Sequence, residues 1–268
     1  MAVLLLAWAS LTTALELRGT PRQGALIVGV TEPGARVHLD GQPVRVTEQG
    51  EFVIGFDRDA EAQAELVVVT KQGNQRQILA VAPRDYRIQQ ITGVPQRTVT
   101  PPEEALQRIR HEAELVRKAR SRASDRRDFL AEFQWPLTGP ITGVFGSQRV
   151  YNGQPGRPHY GVDIAAPTGT PVRSPAPGQV VLTHPDMYFS GGTLIVDHGL
   201  GVFSTFIHLH RVLVEEGDEV EAGDLIAEVG ATGRATGPHL DWRINWFHRR
   251  LDPQLLVGPM PTGDEQGN

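Results

Sequence analysis

Three short stretches carry residues whose types and spacing suit metal chemistry. In GPHLDWRINW, residues 237–246, His239 and Asp241 sit two apart in a run that reads as a β-strand, so both side chains leave on one face. In RPHYGVDIAAPTGTPV, His159 and Asp163 are four apart around Gly161. FIHLH adds His208 and His210, which alternation places on one strand face. An imidazole beside a carboxylate can ligate a divalent cation, and it can equally be a harmless exposed edge. The H-x-x-x-D spacing alone is weak, and its meaning comes from the histidines on two later strands that can converge with it on one cleft. The chain has no cysteine, so disulfides, thiolate zinc sites and cysteine nucleophiles are excluded. Any metal must be held by histidine and carboxylates.

The elements that must position these residues read as follows. From Gln134 onward glycine and proline are frequent and the strands are short. TGTPVRSPAPGQVV, GGTLIVDHG, GVFSTFIHLHRV, GDEVEAGDLIAEVG and HLDWRINW predict antiparallel strands joined by tight turns over residues 134–260, followed by a flexible tail at 261–268. Upstream, residues 100–133 predict a connecting helix with a Thr100/Glu103 capping box and Pro101 at its first position. Leu106, Ile109, Ala113, Val116, Ala119 and Ala123 recur on it at helical spacing as one modest apolar stripe. Its arginines, Lys118 and His111 read as a solvated face, interleaved with Glu112, Glu114 and Asp125. Residues 15–95 hold the runs ALIVGV, ARVHLD, QPVRVT, EFVIGF, ELVVVT and RQILAV, separated by Gly, Asp, Asn and Pro, which predict a small β-sandwich with His38 as a structural strand residue. The expected fold class is therefore mostly β: an N-terminal β-sandwich, a connecting helix and a C-terminal antiparallel β domain.

Residues 1–14 have the shape of a secretory signal, with an apolar core from Val3 to Leu11 and small residues Thr12-Thr13-Ala14 before Leu15, although the usual positive residue at the start is missing. The apolar run is shorter than the roughly 20 residues a bilayer-spanning helix needs, so no stable membrane insertion is expected after cleavage. The chain's 268 residues suffice for one large domain or two modest ones. A net charge of -5 gives no reason to expect a nucleic-acid partner.

HYGVDIAAPTGTPV and FIHLHRVLVEEGDEVEAGDLIAEVGATGRATGPHLDW resemble the lysostaphin-like (LytM-type) zinc endopeptidases that cut cell-wall peptidoglycan, over residues 140 to about 246. The resemblance implies that His159 and Asp163 are the first two zinc ligands. It implies that His208 orients or stabilises the attacked group, and that His239 is the base toward the metal's water. Asp241 stands where the family's H-x-H motif has its second histidine, the third ligand. Zinc accepts carboxylate oxygen about as readily as imidazole nitrogen. Two carboxylates with one neutral histidine should nevertheless make a weaker Lewis acid than two histidines with one carboxylate. His210 is an alternative ligand, with a structural or substrate-facing role preferred. His184, His198 and His248, near turns, read as surface residues. Arg149 in FGSQRVYNG could meet a stem-peptide carboxylate or form a loop salt bridge.

Two functions follow from the resemblance. One is an exported, periplasmic or wall-facing zinc endopeptidase that hydrolyses peptidoglycan cross-links through their stem peptides; in a Gram-negative periplasm these join D-Ala to diaminopimelate. The other is a catalytically weak or inactive wall-binding module that activates a separate peptidoglycan amidase. Retention of His159, Asp163, His208 and His239 favours the enzyme. A swinging-arm carrier, suggested by EEGDEVEAGDLIAEVG, is excluded because no lysine follows Lys118 to accept a cofactor.

Overall fold

A computed structural model describes residues 15–91, 102–122 and 124–261. The expected signal segment, Thr100 with Pro101 of the expected capping box, Ala123, and all but the first residue of the expected tail lie outside the described residues.

Seven strands form the N-terminal part: β1 (Glu16–Arg18), β2 (Leu26–Val30), β3 (Arg36–Leu39), β4 (Gln42–Val44), β5 (Glu51–Gly55), β6 (Gln63–Thr70) and β7 (Gly73–Ala80). They make two antiparallel sheets, β1-β2-β5 and β4-β3-β6-β7. The alternation of the sequence is the reason: Ile27 on one sheet and Val37, Leu39, Leu66 and Val68 on the other are buried in one apolar cluster while their chain neighbours are more exposed. The β3–β4 hairpin turns on Asp40-Gly41, both at positive φ (51° and 74°), the two-residue turn whose twist suits a hairpin. All five residues of β5 are buried, because its second face meets the C-terminal part. There the missing side chain of Gly55 leaves room for Leu251 and Trp246, and Arg249 Nη1 donates to the Gly55 carbonyl at 2.6 Å.

Strand β8 (Ile88–Ile91) leaves the sandwich, and helix α1 (Glu103–Arg120) follows. The helix begins after Pro102, whose extended backbone caps it without a side-chain hydrogen bond. It ends at Arg120, where Ser121 and the polar run beyond it give no further apolar stripe. Among the described residues of the remainder of the expected helix lies one 3-10 turn, Asp128–Leu130. The buried stripe also differs: Ala113 is exposed, whereas Glu112 and Arg120 turn inward. Glu112 accepts from Arg108 Nε (2.6 Å) and from the Tyr188 amide (2.8 Å), so burial leaves it paired.

The C-terminal part contains β9 (Ile141–Gly143), β10 (Gln148–Tyr151), β11 (Gln154–Pro155), β12 (Val162–Ala165), β13 (Pro171–Arg173), β14 (Gly178–Met187), β15 (Gly191–Gly199), β16 (Val202–Val212), β17 (Glu219–Val220), β18 (Leu225–Val229), β19 (His239–Trp246) and β20 (Arg249–Leu251). β8 pairs with β10 in parallel. The large sheet runs β17-β14-β15-β16-β19-β12-β9, with β20 on β19 and β18 on β16. Strand β19 sorts its residues by alternation: Leu240, Trp242 and Ile244 enter the main core, and His239, Asp241, Arg243 and Asn245 take the other face. Ala119, Leu115 and Val116 of α1 pack on Val181, Ile195 and Phe203. Phe203 is the cross-strand partner of Asn245, so the helix covers part of the face that carries Asp241.

Candidate metal centre

Asp163 of β12 and Asp241 of β19 are direct cross-strand partners, so two carboxylates stand side by side on one face. Like charges so placed repel, and they persist only where cations compensate them. The loop before β12 supplies His159. Its amide donates to the Ser147 carbonyl and its carbonyl accepts from the Gly146 amide, both at 2.8 Å. His159 Nε2 lies 3.2 Å from Asp163 Oδ1, and its Nδ1 lies 4.0 Å from Asp241 Oδ2. The loop passes this close because Gly161 has no side chain: a Cβ there would come within 2.3 Å of Asp241 Oδ1 and 2.7 Å of the Trp242 carbonyl.

His208 joins by a break in regular strand geometry. Its φ is +65°, and the β15–β16 register shifts between Gly192 and Leu194. Phe206 and Leu209, three apart, both reach the core, and His208 turns toward β19. Its ring centroid lies 4.8 Å from that of His239. A backbone conformation this uncommon for a non-glycine residue is what re-aims a side chain at a site. His208 Nδ1 contacts the Thr232 carbonyl at 2.8 Å, and His239 Nδ1 contacts the Gly237 carbonyl at 2.7 Å. A carbonyl can only accept, so both Nδ1 atoms carry a proton, and in the neutral imidazole it is Nε2 that keeps the lone pair. His239 Nε2 is 3.9 Å from Asp163 Oδ1.

Burial alone would lower the His159 pKa, but contact with Asp163 and the charges of Asp241 and Asp163 outweigh it and hold the imidazole above its ordinary value. Burial pushes His208 down, which keeps it neutral. Burial would raise Asp241, yet the guanidinium of Arg243 overrides it and holds the carboxyl below the usual range. Arg243 Nε donates to Asp241 Oδ1 at 2.9 Å and Nη2 to Oδ2 at 2.5 Å. This bidentate partner was missed in the sequence, although Arg243 stands two residues beyond Asp241 on the same strand face. The expectation of a weakened Lewis acid counted two carboxylates and overlooked the cation beside one of them.

The residues fit a metal ion. His159 Nε2 and Asp163 Oδ1 are buried and make no hydrogen bond, their 3.2 Å approach to each other being an ion-pair contact. One donor atom each from His159, Asp163 and Asp241 lie within 4.8 Å of one another. An imidazole with two carboxylates is a donor set that zinc accepts. Arg243 leaves each Asp241 oxygen a second lone pair.

Other sequence expectations fall elsewhere. His210 is exposed and, with His184, lines a separate cavity of about 310 Å³, so it does not share the face of His208. His198 is not a surface residue: it is fully buried, held between the Pro177 carbonyl (2.6 Å) and Ser204 Oγ (2.8 Å). His248 is exposed. Arg149 is exposed on β10 and, among the described residues, has no hydrogen bond or ion pair with the cluster.

The profile of peptidase family M23 matches residues 157–253, which include the whole cluster. A crystal structure of a putative M23 peptidase from Pseudomonas aeruginosa superposes with a TM-score of 0.70 at 32% identity, over 90% of this chain and 96% of that one. The peptidoglycan DD-endopeptidase ShyA of Vibrio cholerae is 40% identical over 107 residues, 39% of this chain and 24% of that protein. ShyB of the same organism is 39% identical over 95 residues, 35% of this chain and 22% of that protein. The matched segment is thus about a quarter of either Vibrio protein.

Proposed function

The chain belongs to peptidase family M23, and from that premise we propose that residues 134–260 form a zinc endopeptidase that hydrolyses peptide cross-links of bacterial peptidoglycan in the cell envelope, after export. The observation that carries this reading is the convergence of one donor atom each from His159, Asp163 and Asp241 within 4.8 Å of one another, on carboxylates that stand as cross-strand neighbours. Two facing carboxylates repel, and a cation held between them removes that repulsion.

His159, Asp163 and Asp241 would hold the zinc. When bound, it polarises the scissile carbonyl and makes hydroxide available near neutral pH. His239 then has the geometry of the general base: its Nδ1 proton is anchored on the Gly237 carbonyl, leaving the Nε2 lone pair to take a proton and pass it to the departing amine. His208, neutral and fixed on the Thr232 carbonyl, presents an acceptor and so orients a water or a substrate N–H. This narrows its expected role from orienting or stabilising to orienting.

One observation favours the second reading, a wall-binding module that activates an amidase: both Asp241 oxygens already engage Arg243. Digestion of purified sacculi by the purified chain, with fragments identified by mass, separates the two. The enzyme releases cross-link fragments, a chelator stops it, and His239→Ala keeps zinc while losing about 10²- to 10⁴-fold in rate. Zinc-loaded protein that binds sacculi and releases nothing establishes the module instead.

A further inference from the structure

The paired carboxylates pose an electrostatic question that the ligand set alone does not answer. Asp241 is 3% exposed and faces Asp163 directly across the β12–β19 ladder. Two facing carboxylates would give the group a doubly negative charge. Arg243, its side chain 26% exposed, forms a fork with both oxygens of Asp241 and with no other acidic side chain among the described residues. Its surroundings offer little competition. Thr205, opposite it on β16, is already bonded by Arg120 Nη2 at 2.8 Å. Of the other charged groups around Arg243, Arg120 and Arg250 are cations, and Asp163 and Tyr160 act on it without a hydrogen bond.

We infer that Asp241 and Arg243 act as one electrically neutral ligand unit, with Arg243 the positioning and charge-compensating residue that lets a carboxylate serve as the third zinc ligand. Two carboxylates with one guanidinium leave a single negative charge, the same as one carboxylate with two imidazoles. The fork also fixes the plane of the Asp241 carboxylate, because bidentate guanidinium–carboxylate pairing sets orientation as well as distance. The inference rests on the zinc-site reading of the preceding section.

The test is zinc affinity, measured on the full purified chain by competition with a chromophoric chelator at fixed pH, with far-UV circular dichroism confirming the fold of each metal-free variant. Charge compensation predicts an order that follows site charge. Arg243→Gln, with one positive charge fewer, binds zinc about tenfold more tightly than wild type, as an uncompensated carboxylate near a dication requires. Asp241→His alone leaves Arg243 unpaired beside the metal and binds at least tenfold more weakly. Asp241→His with Arg243→Gln returns to within about threefold of wild type. Asp241→His binding as tightly as the double variant overturns the inference while leaving the zinc site standing. If orientation of Asp241 outweighed compensation of its charge, Arg243→Gln would bind zinc more weakly, and that result overturns the neutral-unit inference even if Asp241→His fails to fold. Folded wild type that takes up no zinc removes the underlying reading and the inference with it.

Discussion

His198 shows how one side chain's environment sets its chemistry against what its sequence neighbours suggest. VDHG places it beside a turn, which in the sequence suggests the surface. The structure seals it between the Pro177 carbonyl and Ser204 of β16, edge-on to Phe133, and burial lowers its pKa from 6.5 to about 4. The unfolded chain therefore binds more protons than the folded one between those values, and stability falls as pH drops through that window. The shift corresponds to about 3 kcal/mol at its full extent. The unfolding free energy of wild type minus that of His198→Gln, measured in urea from pH 7 to pH 4, should shrink as pH falls. A constant difference would refute the buried-neutral assignment. The same limit explains what was legible at this scale. The common face of His239 and Asp241 was readable from strand alternation. His159 and Asp163 were joined to them by the family resemblance, because the register that brings β12 beside β19 leaves no mark in residue type. Arg243 and the burial of His198 were not readable, because ion pairing and exposure depend on what packs opposite.

At the scale of elements, the cluster is assembled by departures from regularity as much as by strands. The β19 run was legible as a strand from its alternation, and with it the common face of His239 and Asp241. The positive φ of His208 was not, since a bulge moves a side chain without leaving a mark in residue type. Helix α1 was legible as a helix, but its inward face was misjudged because Glu112 and Arg120 find polar partners on the sheet side. Gly161 ties the loop of His159 to Asp241, and it sets a prediction for the loop as a unit. In Gly161→Ala the new Cβ would meet Asp241 Oδ1, Arg243 Cγ and a backbone carbonyl that cannot swing away. The loop must lift, at about 1–3 kcal/mol, and His159 moves with it. Zinc affinity should fall at least tenfold while far-UV circular dichroism stays unchanged. Undiminished affinity would mean that the loop does not set the ligand geometry.

At the scale of the whole molecule, the sandwich and the large sheet share one apolar cluster, which runs from Ile27 and Phe52 through Leu251 to Trp242 and Leu209. The contact is specific: Gly55 on β5 admits Leu251 and Trp246, Arg249 bonds the Gly55 carbonyl, and Arg84 pairs with buried Asp252 at 2.8 Å. Two separate runs of strands were legible in the sequence, but their shared core was not, because alternation reports one buried face per strand and β5 buries both. A shared core of this kind should unfold as one unit. Leu251→Ala removes a fully buried side chain from the junction and should cost about 2–5 kcal/mol. Trp135, Trp242 and Trp246 lie in the C-terminal part, so in a chain starting at Leu15, without Trp8, fluorescence reports that part, and amide exchange on β2 and β5 reports the sandwich. Both signals should lose stability by the same amount in Leu251→Ala. Sandwich amides that keep wild-type protection while the fluorescence midpoint shifts would show two independently stable units, and the sandwich would then be free to move relative to the metal centre.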